Sequence, residues 1–184
     1  MPIIPLSTAA VAHGALVPIG FGKTLTDGTT ISFTNIPQGY KDLYCVVNGR
    51  VLTPAVIGGN DNWQFNGDGS SIYSTCYLGG SGSTAYSNVI GNSNYAQSVY
   101  LPATGAQPNT FGTIEGWIVN YSQTNTFKSV LTRVATDLNG AGASSLNFTT
   151  YKSTNAITSL LLAGNYYYAA GTTAQLYGIR TVGQ

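Results

Sequence analysis

From Thr29 onward, apolar and polar residues alternate in short runs. This is the period-two repeat of half-buried β-strands. Ile31 and Phe33 mark the first run, which stops at Pro37 and Gly39. A second covers residues 43–53, where the Asn48–Gly49 pair predicts a tight hairpin. Trp63 and Phe65 share one face of a third. A strand over residues 70–78 runs into the sequence GGSGS, read as a flexible connection, and residues 80–98 read as a long loop rich in Ser, Gly and Asn, with at most one short strand. The second half is more regular. Gly112, Ile114, Gly116 and Ile118 fall on one face of a strand, and Phe111, Trp117, Val119 and Tyr121 on the other. Val130, Thr132 and Val134 alternate in the next strand. Further strands are predicted over residues 145–153, up to Gly164, and over 173–181. No stretch carries a 3.6-residue repeat with caps. Nine or ten strands at this spacing predict an all-β, two-sheet antiparallel sandwich of jelly-roll type.

Residues 1–28 break the pattern and are read as an extended N-terminal arm, leaving 29–184 as the sandwich domain. Pro2, Pro5 and Pro18, with Gly14, Gly20 and Gly22, oppose a regular strand. Ile3, Ile4, Leu6, Val11, Leu16, Val17, Ile19 and Phe21 are nevertheless too apolar for a solvated tail. An extended segment that lies on a surface, its own or a neighbour's, fits both facts. The same start lacks the positive n-region of a secretory signal, and its prolines break any membrane span.

Charge changes the picture more than hydrophobicity does. Only 7% of the 184 residues are Asp, Glu, Lys or Arg, and the net charge is +1. Ordinary domains carry about 25%. Such a surface lacks the mutual repulsion that keeps proteins apart, and it suits a subunit packed against neighbours. A weakly charged extracellular domain is the other reading. With no basic run, neither nucleic acid nor an anionic membrane surface is an expected partner.

Catalytic and metal chemistry find few candidates. His13 is the single histidine, so a zinc site or a Ser–His–Asp triad has no residues to build on. No pair of carboxylates is fixed across a cleft by the pattern. The Asn66–Ser70 segment around Asp68 is read as a turn rather than a calcium loop, because further carboxylates are missing. Catalysis, metals and cofactors are therefore not expected. Cys45 and Cys76 are read as buried free thiols, with a disulfide left open.

Aromatic residues carry the remaining signal: 13 Tyr, 6 Phe and 2 Trp. Many are ordinary cross-strand residues, but Tyr also favours protein interfaces, and a flat aromatic face can stack on sugars. Trp63, Tyr86, Tyr95, Tyr166, Tyr167 and Tyr168 are the candidate glycan or partner surface. In the run Tyr166–Tyr168, strand alternation sends Tyr167 opposite to its neighbours, so at least one of the three is expected at the surface or a contact.

Three stretches together suggest a family. Residues 30–50 carry Ile36–Pro37, residues 63–80 carry Phe65–Asn66–Gly67–Asp68 and Tyr73, and residues 156–180 carry Leu176–Tyr177–Gly178–Ile179. They resemble a group of bacteriophage virion proteins, tail-fibre-like or particle-decorating, over about residues 29–181. Relatives carry more Arg in the second strand, where only Arg50 remains here. The resemblance implies a structural protein of the virion surface, assembled in the host cytoplasm. It would be a capsid decoration or cement protein whose arm locks neighbouring subunits. The implied partners are further copies, as a small oligomer such as a trimer, and the major capsid protein or other virion proteins. A tail-associated fibre module that recognises a host-surface glycan is the alternative.

Overall fold

The computed structural model describes residues 16–164 and 166–180. Among these described residues twelve strands form: β1 (Leu16–Lys23), β2 (Ile31–Phe33), β3 (Asp42–Gly49), β4 (Gly58–Phe65), β5 (Tyr73–Ser81), β6 (Thr84–Ser93), β7 (Ala96–Pro102), β8 (Gly112–Val119), β9 (Lys128–Thr136), β10 (Ala143–Tyr151), β11 (Leu160–Gly164) and β12 (Thr173–Ile179). Two antiparallel sheets face each other, one of eight strands in the order β1-β12-β3-β8-β9-β10-β5-β6 and one of four in the order β2-β11-β4-β7.

The pairing has a simple logic. β1 pairs with β12, β2 with β11, β3 with β8 and β4 with β7, a nested series like one long hairpin. The hairpin is rolled up so that β12 also pairs with β3, and β11 with β4. This is the jelly roll that the alternation predicts. Two hairpins, β5–β6 and β9–β10, are inserted into it and join each other through β10–β5, widening one sheet to eight strands.

Apolar side chains from both inner faces fill the space between the sheets. Leu43, Cys45, Val47, Ile114, Ile118 and Leu176 meet Ile31, Phe33, Trp63, Phe65, Leu160 and Leu162. Gly116 lies under the Trp63 ring, where an added Cβ would sit 2.1 Å from Cη2.

Several sequence expectations need correction. Leu16–Lys23 is not arm but edge strand β1, so the folded domain starts at least thirteen residues before residue 29. The prolines and glycines that spoke against a strand fit an edge strand instead. Pro18 stands at an irregularity in the ladder, where a missing N–H costs little. Gly20 and Gly22 leave room for Phe33 and Ile31 of the facing sheet, whose side chains come within 2.7 and 2.3 Å of where a Cβ would be. Asn48–Gly49 makes no hairpin, because β3 ends there and the chain crosses to the other sheet. Residues 80–98 are not a loop but most of the β5–β6 hairpin and the start of β7. Gly82, at φ 56°, makes the tight turn within GGSGS. Tyr121 is buried although alternation put it beside exposed Trp117, since Asn120 at φ 56° turns the chain inward.

An apolar sheet face as the candidate functional site

The two sheets present different outer faces. On the four-stranded sheet the outward positions of β4 are Asn60, Asn62 and Gln64, an ordinary wetted surface. The outer face of the eight-stranded sheet is apolar along a straight line. Strand register places Pro18, Tyr177, Tyr44, Trp117, Leu131, Phe148, Cys76 and Val89 directly side by side, one from each strand. Trp117 is 44% exposed, Phe148 47% and Val89 64%. The next row contains Phe21, Val46, Leu146 and Leu78, interrupted by Gln175 and by the adjacent Glu115 and Arg133.

On β10, in one of the inserted hairpins, the usual pattern is inverted. In β10 the inward residues are Ser145, Asn147 and Thr149, all buried, while Leu146 and Phe148 point to solvent. Buried Thr75 and Thr132 belong to the same inner layer. These polar side chains bond to one another, with Asn147 Oδ1 alone among the three inward residues of β10 left without a hydrogen-bond partner. The hydroxyls of Thr75 and Thr149 lie 2.7 Å apart, Ser98 and Thr132 share a bond of 2.8 Å, and Asn147 Nδ2 donates to Thr132 Oγ1 at 3.1 Å and to Ser145 Oγ at 3.2 Å. Buried polar groups are tolerated when bonded in this way. Exposed Leu and Phe gain nothing from water, which makes this contiguous apolar surface the candidate contact site.

Local interactions hold the row in shape. Trp117 Nε1 donates to Asp42 Oδ2 at 3.3 Å, and Asp42 Oδ1 accepts from the Asn120 amide at 2.9 Å. The Tyr44 and Tyr177 rings pack with centroids 6.4 Å apart. Burial, with Glu115 close by, raises the Tyr44 pKa above the ordinary phenol value. Arg133 forms an ion pair with Glu115 on the neighbouring strand. A shallow depression of about 270 Å³ lies between Tyr44, Glu115, Trp117, Leu131 and Arg133.

The residues proposed from sequence fare differently. Pro2, Ile3, Ile4, Pro5, Leu6, Val11 and His13 lie outside the described residues. Leu16 and Phe21 are exposed on β1, while Val17 and Ile19 are half-buried there. Trp63 and Tyr168 belong to no surface. Both are fully buried, and both donate to the carboxylate of buried Asp61. Tyr166 and Tyr167 are exposed, 65% and 53%, on a turn with φ values of 62° and 73°. The run is therefore a turn and does not alternate as a strand would. Tyr86 and Tyr95 are half-buried, and the Tyr86 ring packs against Tyr77 and Tyr100. The six residues thus do not form a single aromatic platform. Cys45 and Cys76 are both free thiols, but Cys76 is exposed on the outer row rather than buried.

Sequence reading missed the outer row because it needs the register of seven strand pairs. One local signal was present: Trp117 falls opposite Ile114 and Ile118 in its strand. Among the described residues no group of three or more His, Cys, Asp or Glu could hold a metal ion. Asp68 sits in a turn, its Oδ1 accepting from the Ser70 amide at 3.0 Å. Comparison of the chain with protein-family models, curated proteins and solved structures finds no match.

Proposed function

We propose that the chain is a non-catalytic structural subunit that works docked on neighbouring subunits through the outer face of its eight-stranded sheet. In biological terms this is a capsid decoration or cement protein of a phage particle. The inverted alternation on β10 supports the reading most directly: polar side chains lie inside while Leu146 and Phe148 face outward, beside exposed Leu131 of β9. The low charge of the chain supports it too, since a nearly neutral surface does not repel neighbours. The phage assignment comes from the sequence resemblance.

The arm keeps a role in this reading, but a shorter one. Deleting residues 2–21 would remove most of edge strand β1, so the informative deletion stops before Leu16. The test is incorporation into particles assembled with variant protein. Phe148→Glu puts a charge on the exposed row without touching the core, and it should abolish incorporation while leaving the unfolding midpoint near that of the unaltered chain. Deletion of residues 2–13 should lower occupancy on the particle. Full copy number with Phe148→Glu would overturn the proposal.

A further inference from the structure

We infer that the partner of the apolar face is a second copy of this chain, packed face to face about a twofold axis that runs along the strands between β8 and β9. This deepens the docking reading above and rests on it. The midline of the sheet carries the argument. β8 and β9 are the fourth and fifth of eight strands, so a twofold on their boundary superimposes the two faces completely. An isologous contact requires the surface to complement itself under that rotation.

It does so row by row. The rotation keeps height along the strand and exchanges left and right. Glu115 and Arg133 stand opposite each other on β8 and β9, so Glu115 comes to face the partner's Arg133, and Arg133 the partner's Glu115. The ion pair within each copy thereby becomes a four-charge cluster without like charges in direct opposition. In the next row Trp117 faces the partner's Leu131, and one strand further out Tyr44 faces the partner's Phe148. Apolar residues meet apolar residues on both sides of the axis. Stacked sheets pack about 10 Å apart, and an axis along the strands keeps the midline strands of the two copies parallel, so the charges and Trp117 meet there in register.

The area suffices. Eight strands about 4.8 Å apart span about 38 Å, and five residues at about 3.3 Å cover about 17 Å, which gives roughly 650 Å² per copy. Both copies together then bury about 1,300 Å², at the lower end of the roughly 1,200–2,000 Å² that specific interfaces bury in total. The predicted unit is twofold, in contrast to the trimer suggested from sequence.

The decisive measurement is sedimentation equilibrium of the full chain without particles. The unaltered protein should be a dimer. Leu131→Glu should be a monomer with unchanged circular dichroism, since Leu131 is exposed. Glu115→Arg and Arg133→Glu should each weaken self-association by about tenfold or more, because each places like charges across the axis. Mixing these two variants should restore a dimer holding one of each, and the double exchange in one chain should dimerise again. A monomeric unaltered chain, a trimer, or a mixture that associates no better than its components would overturn the inference. A monomer that still decorates particles through this face would leave the proposed function intact. Charge-dependent dimers whose face variants decorate normally would instead remove that function and leave the dimer.

Discussion

Burial of Asp61 should make this protein lose stability as the pH rises from acid to neutral. Asp61 is 0% exposed in the middle of β4 and accepts hydrogen bonds from Trp63 Nε1 and the Tyr168 hydroxyl. Desolvation outweighs those bonds and raises its pKa from 3.8 to about 7. In the unfolded chain a carboxyl of this type titrates near 3.9. Between these values the folded state holds a proton that the unfolded state has released. The unfolded state binds fewer protons there, so stability falls with rising pH over about 4 to 7 and levels off above. At about 1.36 kcal/mol per unit, a gap of about 3 units corresponds to about 4 kcal/mol as an upper bound. The assay is urea unfolding of the unaltered chain and of Asp61→Asn at intervals from pH 4 to 8. Asn keeps an acceptor for Trp63 but does not titrate. The difference between the two curves cancels His13 and every other titrating group. It should shift in favour of Asn by up to that amount between pH 4 and 7, at equal slope in urea. Parallel curves across the window, or a difference that moves the other way, would refute the reasoning.

Gly116→Ala should destabilise the fold by about 1–3 kcal/mol, because its Cβ meets the immobile Trp63 ring. At this chain length that lowers the thermal midpoint by about 2–4 °C per kcal/mol, and an unchanged midpoint would mean the ring is not seated there. Tyr166→Ala with Tyr167→Ala, both exposed, should leave stability within about 0.5 kcal/mol, whereas Trp63→Ala should cost about 3–5 kcal/mol. Equal effects in urea unfolding would contradict the opposite burial of these aromatic groups.

Alternation alone determined that the chain is all-β and which residues share a strand face. Ile31 with Phe33, Trp63 with Phe65, and Ile114 with Ile118 share a face as expected, and the structure turns that face into the core. For Trp63 the local pattern even held the answer that weighing it as a surface aromatic overlooked: its neighbours Asn62 and Gln64 take the outward positions, which leaves the ring inside. Period two assigns residues to faces but does not say which face is covered. In β10 that ambiguity is decisive, since apolar Leu146 and Phe148 face solvent while Ser145, Asn147 and Thr149 face inward. Which side becomes interior depends on where the opposite sheet lies, and that follows from the nested pairing of strands far apart in sequence. The same long-range register aligns Tyr177, Tyr44, Trp117, Leu131 and Phe148 into one row. It also turns the proline- and glycine-rich stretch at Leu16–Lys23 into an edge strand. Composition determined that this surface would be nearly free of charge; only the tertiary structure decided that its apolar part would be gathered on one side, because side chains become neighbours across a sheet through hydrogen-bonded register, which no local window of sequence contains.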